Sequence, residues 1–317
     1  MDAVMEAVGL RKTFGSGVRA VDGVSLRVGA GQTLGIVGES GCGKSTTAKM
    51  LLRLLDADDG TVAFQGDNIT KARGKALRAL RARLQVVPQN PQTSLNPRLS
   101  IGDSVEFNMR VHGVAKSRRR DRMRDLLARV GLDPSYASRY PHELSGGQLQ
   151  RVAIARALST EPSLVICDEP VSALDKSVQA QVLNLLADLQ RELNVAYIFI
   201  SHDLAVVEHL ADRVLVMYLG RVVEEGSAGD LWSSAMHPYT KALLSATPGR
   251  GRDRIVLAGD LPSPRSLPAG CSFRTRCPEA EASCATGIPP LVSAGGDPTP
   301  SPEAHRAACI HAGSVSR

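Results

Sequence analysis

Apolar residues in this chain fall into short blocks. VSLRV (24–28), TLGIV (33–37), LQVV (84–87), SLVIC (163–167), AYIFI (196–200) and RVLVMY (213–218) read as strands. Several are apolar at nearly every position, the pattern of strands buried on both faces. Between them, residues 44–54, 177–193 and 203–210 carry helical spacing. This alternation predicts an α/β fold with a mostly parallel sheet covered by helices on both sides. Residues 93–160 interrupt it with helical segments separated by Pro, Gly and Asn turns, which predicts a helical insertion. The composition changes after about residue 236. From Pro262 onward, 56 residues hold nine of the eighteen prolines and four of the six cysteines, too little apolar material for an independent core. No internal repeat is visible.

Length and charge narrow the picture. The 317 residues, 43% of them hydrophobic, suffice for one large α/β domain and an extension. No stretch approaches ~20 uninterrupted apolar residues, and MDAVMEAVGL lacks a basic start and a clean apolar core, so neither a membrane span nor a signal peptide is expected. The expected compartment is the cytoplasm. A net charge of +6 raises the question of a nucleic-acid or anionic membrane partner. The basic residues, however, are spread over KARGKALRALRAR (71–83) and KSRRRDRMRDLLARV (116–130). Around the second segment Val114, Met123, Leu126, Leu127 and Val130 can line one face while the charges meet solvent. No aromatics interleave as stacking platforms, so a solvated helix face is expected and no nucleic-acid partner.

The chemistry begins at GESGCGKST. Gly38-x-x-x-x-Gly43-Lys44-Ser45 follows the strand TLGIV and precedes a helical run, the strand–loop–helix setting of a phosphate-binding loop. Glycines 38, 41 and 43 let the backbone N–H groups turn toward phosphate oxygens. Lys44 reaches the β- and γ-phosphates, Ser45 can ligate Mg²⁺, and Ser40, Cys42 and Thr46 complete the loop. Cys42 lies near a helix N-terminus, which can lower a thiol pKa, but reads as a tolerated loop residue and not a redox switch. Downstream, LVICDEP ends a strand in two acids. Ligands bind beyond the carboxyl ends of parallel strands, so Asp168 is placed to support Mg²⁺ and Glu169 to orient or deprotonate a water. Capping of the next turn is the competing reading.

A second glycine-rich turn, Leu144-Ser145-Gly146-Gly147-Gln148, opens an apolar helical stretch. Such a turn offers backbone N–H groups and the positive end of a helix dipole to a phosphate. Together with the phosphate loop it resembles the signature of ABC-type ATPases. That resemblance implies an ABC-type P-loop ATPase domain over 1–236, with a mostly parallel core sheet, an antiparallel β subdomain and a helical subdomain at about 93–160. It implies further roles: Gln89 contacting Mg²⁺ and water, His202 contacting the γ-phosphate, SALD (172–175) touching a second ATPase domain, and Phe14 stacking on adenine. A plain core phenylalanine is the alternative for Phe14. In this family the signature of one domain closes over the nucleotide of another, so Ser145, Gly146, Gly147 and Gln148 are expected to serve ATP held by a partner. The implied active form is a head-to-tail dimer with two ATP molecules. Soluble ABC ATPases that act on DNA or ribosomes typically carry two ATPase sets or a long coiled-coil insertion, and this sequence has neither.

PQNPQTSLNPRLSI (88–101), DEPVSALD (168–175) and HPYTKALLSATP (237–248) sharpen the resemblance. They are similar to the ATP-binding subunits of bacterial oligopeptide and dipeptide importers, with nickel, glutathione or another small solute as alternative cargo. The implied partners are a second, distinct ATPase subunit forming a heterodimer, two transmembrane permease subunits and, indirectly, an extracytoplasmic substrate-binding protein. The implied place is the cytoplasmic face of the cell membrane. The extension, 237–317, carries Cys271, Cys277, Cys284 and Cys309. Their spacing alone says only that thiolates could ligate a metal. In the importer branch a similar extension is associated with a [4Fe–4S] cluster, which the resemblance implies here, with zinc or free thiols as alternatives. Either metal would staple an irregular segment that burial alone is not expected to fold. His305 and His311 are read as surface residues, with a substitute ligand role as the alternative.

Overall fold

A computed structural model describes residues 3–247, 253–293 and 303–312. Met1, Asp2 and Pro248, the last residue of HPYTKALLSATP, lie outside them. Twelve strands are found among the described residues: β1 Ala3–Thr13, β2 Arg19–Gly29, β3 Thr33–Val37, β4 Asp59–Phe64, β5 Asp67–Asn68, β6 Leu84–Val87, β7 Leu164–Asp168, β8 Ala196–Ser201, β9 Arg213–Tyr218, β10 Arg221–Ser227, β11 Val292–Ser293 and β12 Arg306–Ala307. The helices are α1 Lys44–Leu51, α2 Gly74–Arg83, α3 Pro91–Ser94, α4 Ile101–Val111, α5 Lys116–Arg129, α6 Gly146–Leu158, α7 Lys176–Leu193, α8 Leu204–Leu210, α9 Ala228–Ser234 and α10 Pro238–Ser245. None is long and apolar enough to cross a membrane.

Two sheets form. The larger has the order β11-β12-β10-β9-β3-β8-β7-β6. β6, β7, β8, β3 and β9 run parallel, and β10, β12 and β11 continue it antiparallel. Every residue of β3 and β8 is buried, as expected of strands covered on both faces. The smaller sheet, β2-β1-β4-β5, is antiparallel. VSLRV belongs here and not to the parallel sheet. Its buried and exposed positions alternate along β2, because only one face of an antiparallel sheet needs to meet the core.

The insertion consists of α3 to α6. Leu95, Ile101, Val105, Met109, Met123, Leu126, Leu127 and Val130 pack with Val152 and Leu158 in a core continuous with the parallel sheet. Val114 packs against it half-buried, so the apolar face expected around 116–130 forms. α1 ends at Leu51, three residues before the predicted end. Arg53 adopts φ 53°, and the turn is closed by Leu54 N–H donating to the Lys49 carbonyl.

The extension does not stand as a core of its own, as its composition predicts, but it is not unpacked. Phe273 is 1% exposed. Its ring meets Tyr218 edge-on at 5.3 Å, with Tyr239 at 5.4 Å and His237 at 5.6 Å. β12 adds two residues to the edge of β10. A chain that cannot build its own core here borrows one from the ATPase domain. The division at 236 is therefore one of sequence pattern, bridged by a shared core.

Candidate functional site

The phosphate loop leaves β3 and wraps the start of α1. Gly38 (φ 149°) and Gly43 (φ 107°) both lie in the left-handed region. A Cβ at Gly38 would stand 2.2 Å from the Met217 carbonyl, and one at Gly43 would stand 2.3 Å from the Ala20 carbonyl. Neither backbone neighbour can yield, so only glycine fits. Ser40 and Gly41 are exposed at the loop's tip, and Thr46 is half-buried in the first helical turn. Lys44 is buried, and its Nζ donates to the carbonyls of Gly38 (2.7 Å) and Glu39 (3.0 Å). This ammonium is held inside the loop at the place a triphosphate would enter. Cys42 is buried behind the loop, and burial pushes its thiol pKa up, with the Lys44 charge opposing.

Tertiary structure brings the strand-end acids to this loop. Ser45 Oγ donates to Asp168 Oδ1 at 3.0 Å across 123 residues of sequence. Burial raises the Asp168 pKa, and the neighbouring Glu169 charge adds to it, while the Ser45 hydrogen bond opposes. A half-buried carboxylate beside a hydroxyl fits a hard divalent cation that keeps waters and phosphates in its remaining positions. Glu169 adopts φ 47°, and its N–H donates to the Ile200 carbonyl, so the next strand fixes its unusual backbone. Its Oε2 accepts from Gln89 Nε2 at 3.1 Å and lies 3.2 Å from His202 Nδ1. Gln89 and His202 are exposed while the Glu169 side chain is mostly covered. One carboxylate oxygen thus gathers residues from the ends of β6 and β8.

The signature turn is built as a helix start. Ser145 caps α6 in a reciprocal box: its Oγ accepts from the Gln148 N–H at 3.4 Å, and Gln148 Oε1 accepts from the Ser145 N–H at 3.0 Å. Gly146 and Gly147 occupy the first two positions, and a Cβ on Gly147 would come 2.5 Å from Val178 Cγ1 on α7. Ser145 remains exposed, and α6 packs on α3, α4, α5, α7 and β6. Asp175 of SALD caps α7, accepting from the Val178 N–H at 2.9 Å. Phe14, 41% exposed in the β1–β2 turn, is not a core residue.

Sequence reasoning missed the grip of the extension on the phosphate loop. Arg276 donates to both carboxylate oxygens of Glu39, at 2.9 and 3.2 Å. The Glu39 N–H donates to the Tyr239 hydroxyl at 2.9 Å. The pairing with Glu39 raises the Arg276 pKa further. His305 also departs from expectation. Its Nε2 lies 2.7 Å from Oε1 of Glu224, which is fully buried and also accepts the N–H groups of Met236 (2.7 Å) and His237 (2.9 Å). His305 is a largely buried partner of β10, whereas the His311 ring is half-buried, with Nε2 3.2 Å from the Glu279 carbonyl. HPYT carried a signal, since its own Tyr239 can donate and accept.

None of the six cysteines forms a disulfide. The expected metal staple finds no support: among the described residues no group of three or more Cys, His, Asp or Glu side chains is arranged to hold a metal ion. Cys271, Cys277, Cys284 and Cys309 do share one neighbourhood. The charges of Cys284 on Cys271, and of Cys271 and Cys309 on Cys277, are felt in their raised pKa values, for which burial is the main cause. The Cys271 N–H also donates to the Cys284 carbonyl at 2.8 Å. Aromatic packing, β12 and the Arg276–Glu39 pair anchor the segment.

A phosphate loop, strand-end acids and a capped glycine turn on a helical insertion define an ABC-type ATPase. The family described as ABC transporter matches residues 21–172, and the oligopeptide/dipeptide transporter C-terminal region matches 223–284. The oligopeptide transport ATP-binding protein OppF of Salmonella typhimurium is 51% identical over 282 residues, 86% of this chain and 84% of that protein. The dipeptide transport ATP-binding protein DppF of Escherichia coli is 49% identical over 284 residues, 88% and 85% of the two chains. Among solved structures, cbiO1 of Clostridium perfringens, part of the ABC transporter complex cbiONQ, aligns with a TM-score of 0.68 and 29% identity over 74% of this chain and 92% of its own. The ATP-binding cassette MJ0796, a dimer bound to ADP and phosphate after hydrolysis, aligns with a TM-score of 0.65 and 28% identity over 71% and 98%. The chain belongs to the ATP-binding proteins of the oligopeptide/dipeptide ABC transporter family.

Proposed function

We propose that this protein binds and hydrolyses ATP to drive peptide uptake through an ABC transporter. The observation that carries it is the Glu169 cluster beside the phosphate loop, with Asp168 bonded to Ser45 and Glu169 Oε2 flanked by Gln89 and His202. Phe14 stacks on adenine. The N–H groups of the loop from Gly38 to Thr46 receive the phosphates, and Lys44 exchanges its two carbonyl partners for β- and γ-oxygens. Ser45 and Asp168, with Gln89, would hold Mg²⁺, which would neutralise phosphate charge. Glu169 takes the proton from the attacking water, while His202 faces the γ-phosphate.

Ser145, Gly146, Gly147 and Gln148 serve the nucleotide of a partner ATPase subunit, and closure of the pair drives two permease subunits. The exposed, preformed helix start at Ser145 supports this reading. The partner is a distinct paralogue, and the complex sits on the cytoplasmic face of the cell membrane, receiving peptides from an extracytoplasmic binding protein. The nearness of four thiols supports a finer reading in which they ligate a [4Fe–4S] cluster, with zinc as the alternative. Anaerobic purification tests it: absorbance near 400 nm with stoichiometric iron supports the cluster, and a colourless, metal-free protein rejects both metals. For the transport reading, the test is uptake of labelled peptides by the intact membrane complex. ATP-dependent uptake that vanishes with Glu169→Gln supports it, and purification of the chain without permease subunits refutes it.

A further inference from the structure

Glu39 is the second residue of the phosphate loop, and every polar group it has is engaged. Its N–H donates to Tyr239 Oη at 2.9 Å, its carbonyl accepts from Lys44 Nζ at 3.0 Å, and its carboxylate accepts two bonds from Arg276. Two of these three holds come from the extension, more than 190 residues away along the chain. Arg276 Nη1 and Nη2 approach the two oxygens separately, a fork geometry that fixes orientation as well as charge. The pair is sheltered, with the Arg276 side chain 11% exposed and that of Glu39 29%.

The third hold has to break when nucleotide binds. Lys44 Nζ sits on the Gly38 and Glu39 carbonyls, and contact with a triphosphate requires it to leave them. The loop then loses the Lys44 brace and keeps, at Glu39, only the Cys42 N–H bond to the carbonyl at 3.3 Å from within, at the moment its N–H groups must stay aimed at phosphate. It also carries a carboxylate that would repel the incoming anion if it were unpaired. Arg276 and Tyr239 address both problems, since they hold the loop from outside and neutralise Glu39.

We propose that the C-terminal extension forms part of the ATP site, with Arg276 acting as a positioning residue that fixes the phosphate loop through Glu39. The proposal rests on the reading of GESGCGKS as the ATP-binding loop. Arg276 touches no substrate, so its effect passes through Glu39. Binding of a fluorescent ATP analogue to the full-length chain tests it, with buried Trp232 reporting fold integrity. Arg276→Ala should weaken nucleotide binding about tenfold or more, the consequence of losing a bidentate charge-assisted pair beside an anion site. Arg276→Lys, which keeps charge without the fork, should fall between. In a Glu39→Gln background, Arg276→Ala should cost less than threefold, because the carboxylate it serves is gone.

The outcomes separate the two levels of argument. Wild-type binding that Lys44→Ala abolishes, with Arg276→Ala unchanged, overturns the positioning role and leaves the ATP site intact. Full effects of Arg276→Ala in both backgrounds also overturn it, since the loss would then be one of general structure. A wild-type chain that binds no ATP refutes the underlying site.

Discussion

Replacing Phe273 by Ala should detach the extension without touching the residues assigned to chemistry. The ring is 1% exposed and lies edge-on to Tyr218 at 5.3 Å, with Tyr239 and His237 within 5.6 Å. Phe→Ala at a buried site costs about 3–5 kcal/mol. About 4 kcal/mol is reasonable here because three ring partners lose contact with it. If the segment opens as a local unit, that amount raises its open population by about three decades. Limited trypsin digestion reads this, since Arg274 and Arg276 lie in the same segment. With opening fast relative to cleavage, the cutting rate there should rise by about the same factor. A change below tenfold would refute the idea that aromatic packing anchors the extension. So would release of the wild-type segment by a metal chelator to the same degree, which would return the anchor to a metal.

Glu169→Gln should lower steady-state ATP turnover by about 10²–10⁴-fold, the range of a lost general base, while nucleotide still binds; turnover within threefold of wild type removes Glu169 from that role. Lys44→Ala should instead abolish measurable nucleotide binding, and retained affinity would count against the loop geometry. His237 is buried, its pKa pushed down to about 4 by burial and by Lys241, with Glu224 opposing, and its Nδ1 accepts the Tyr239 N–H at 3.1 Å. The unfolded chain therefore binds the proton first as pH falls below about 6.5, and stability should drop by about 3 kcal/mol between there and pH 4. Urea midpoints across that range check it: His237→Gln should flatten the decline, and an unchanged slope would exclude this histidine as its source.

Legibility differed by element for physical reasons. β3, β8 and β9 could be read because strands buried on both faces must be apolar throughout. β10 was not read because RVVEEGS places two acids at buried positions. Glu224 survives there by accepting two backbone N–H groups beside His305, and Glu225 pairs with Arg306, partners that lie far along the chain. β1 and β4 went unnamed because one-sided antiparallel strands scatter polar residues among apolar ones. The loop glycines, Lys44, Ser45 and the acids after β7 were legible because phosphate and Mg²⁺ demand fixed residue types at fixed spacing.

Sequence by itself determined the local devices: the phosphate-loop residue types and their spacing, a capped signature helix, and strand-end acids. Each is written within a few residues, so spacing is enough to name it, although the crowding that admits only glycine at 38 and 43 comes from the distant Met217 and Ala20 carbonyls. Tertiary structure alone decided which devices meet. It brought Asp168 to Ser45, set Gln89 and His202 on one Glu169 oxygen, and laid a proline- and cysteine-rich tail against the loop through Arg276 and Glu39. Those contacts span 33 to 237 residues, and at such separations only the sheet order and the borrowed aromatic core determine which side chains come within hydrogen-bonding distance.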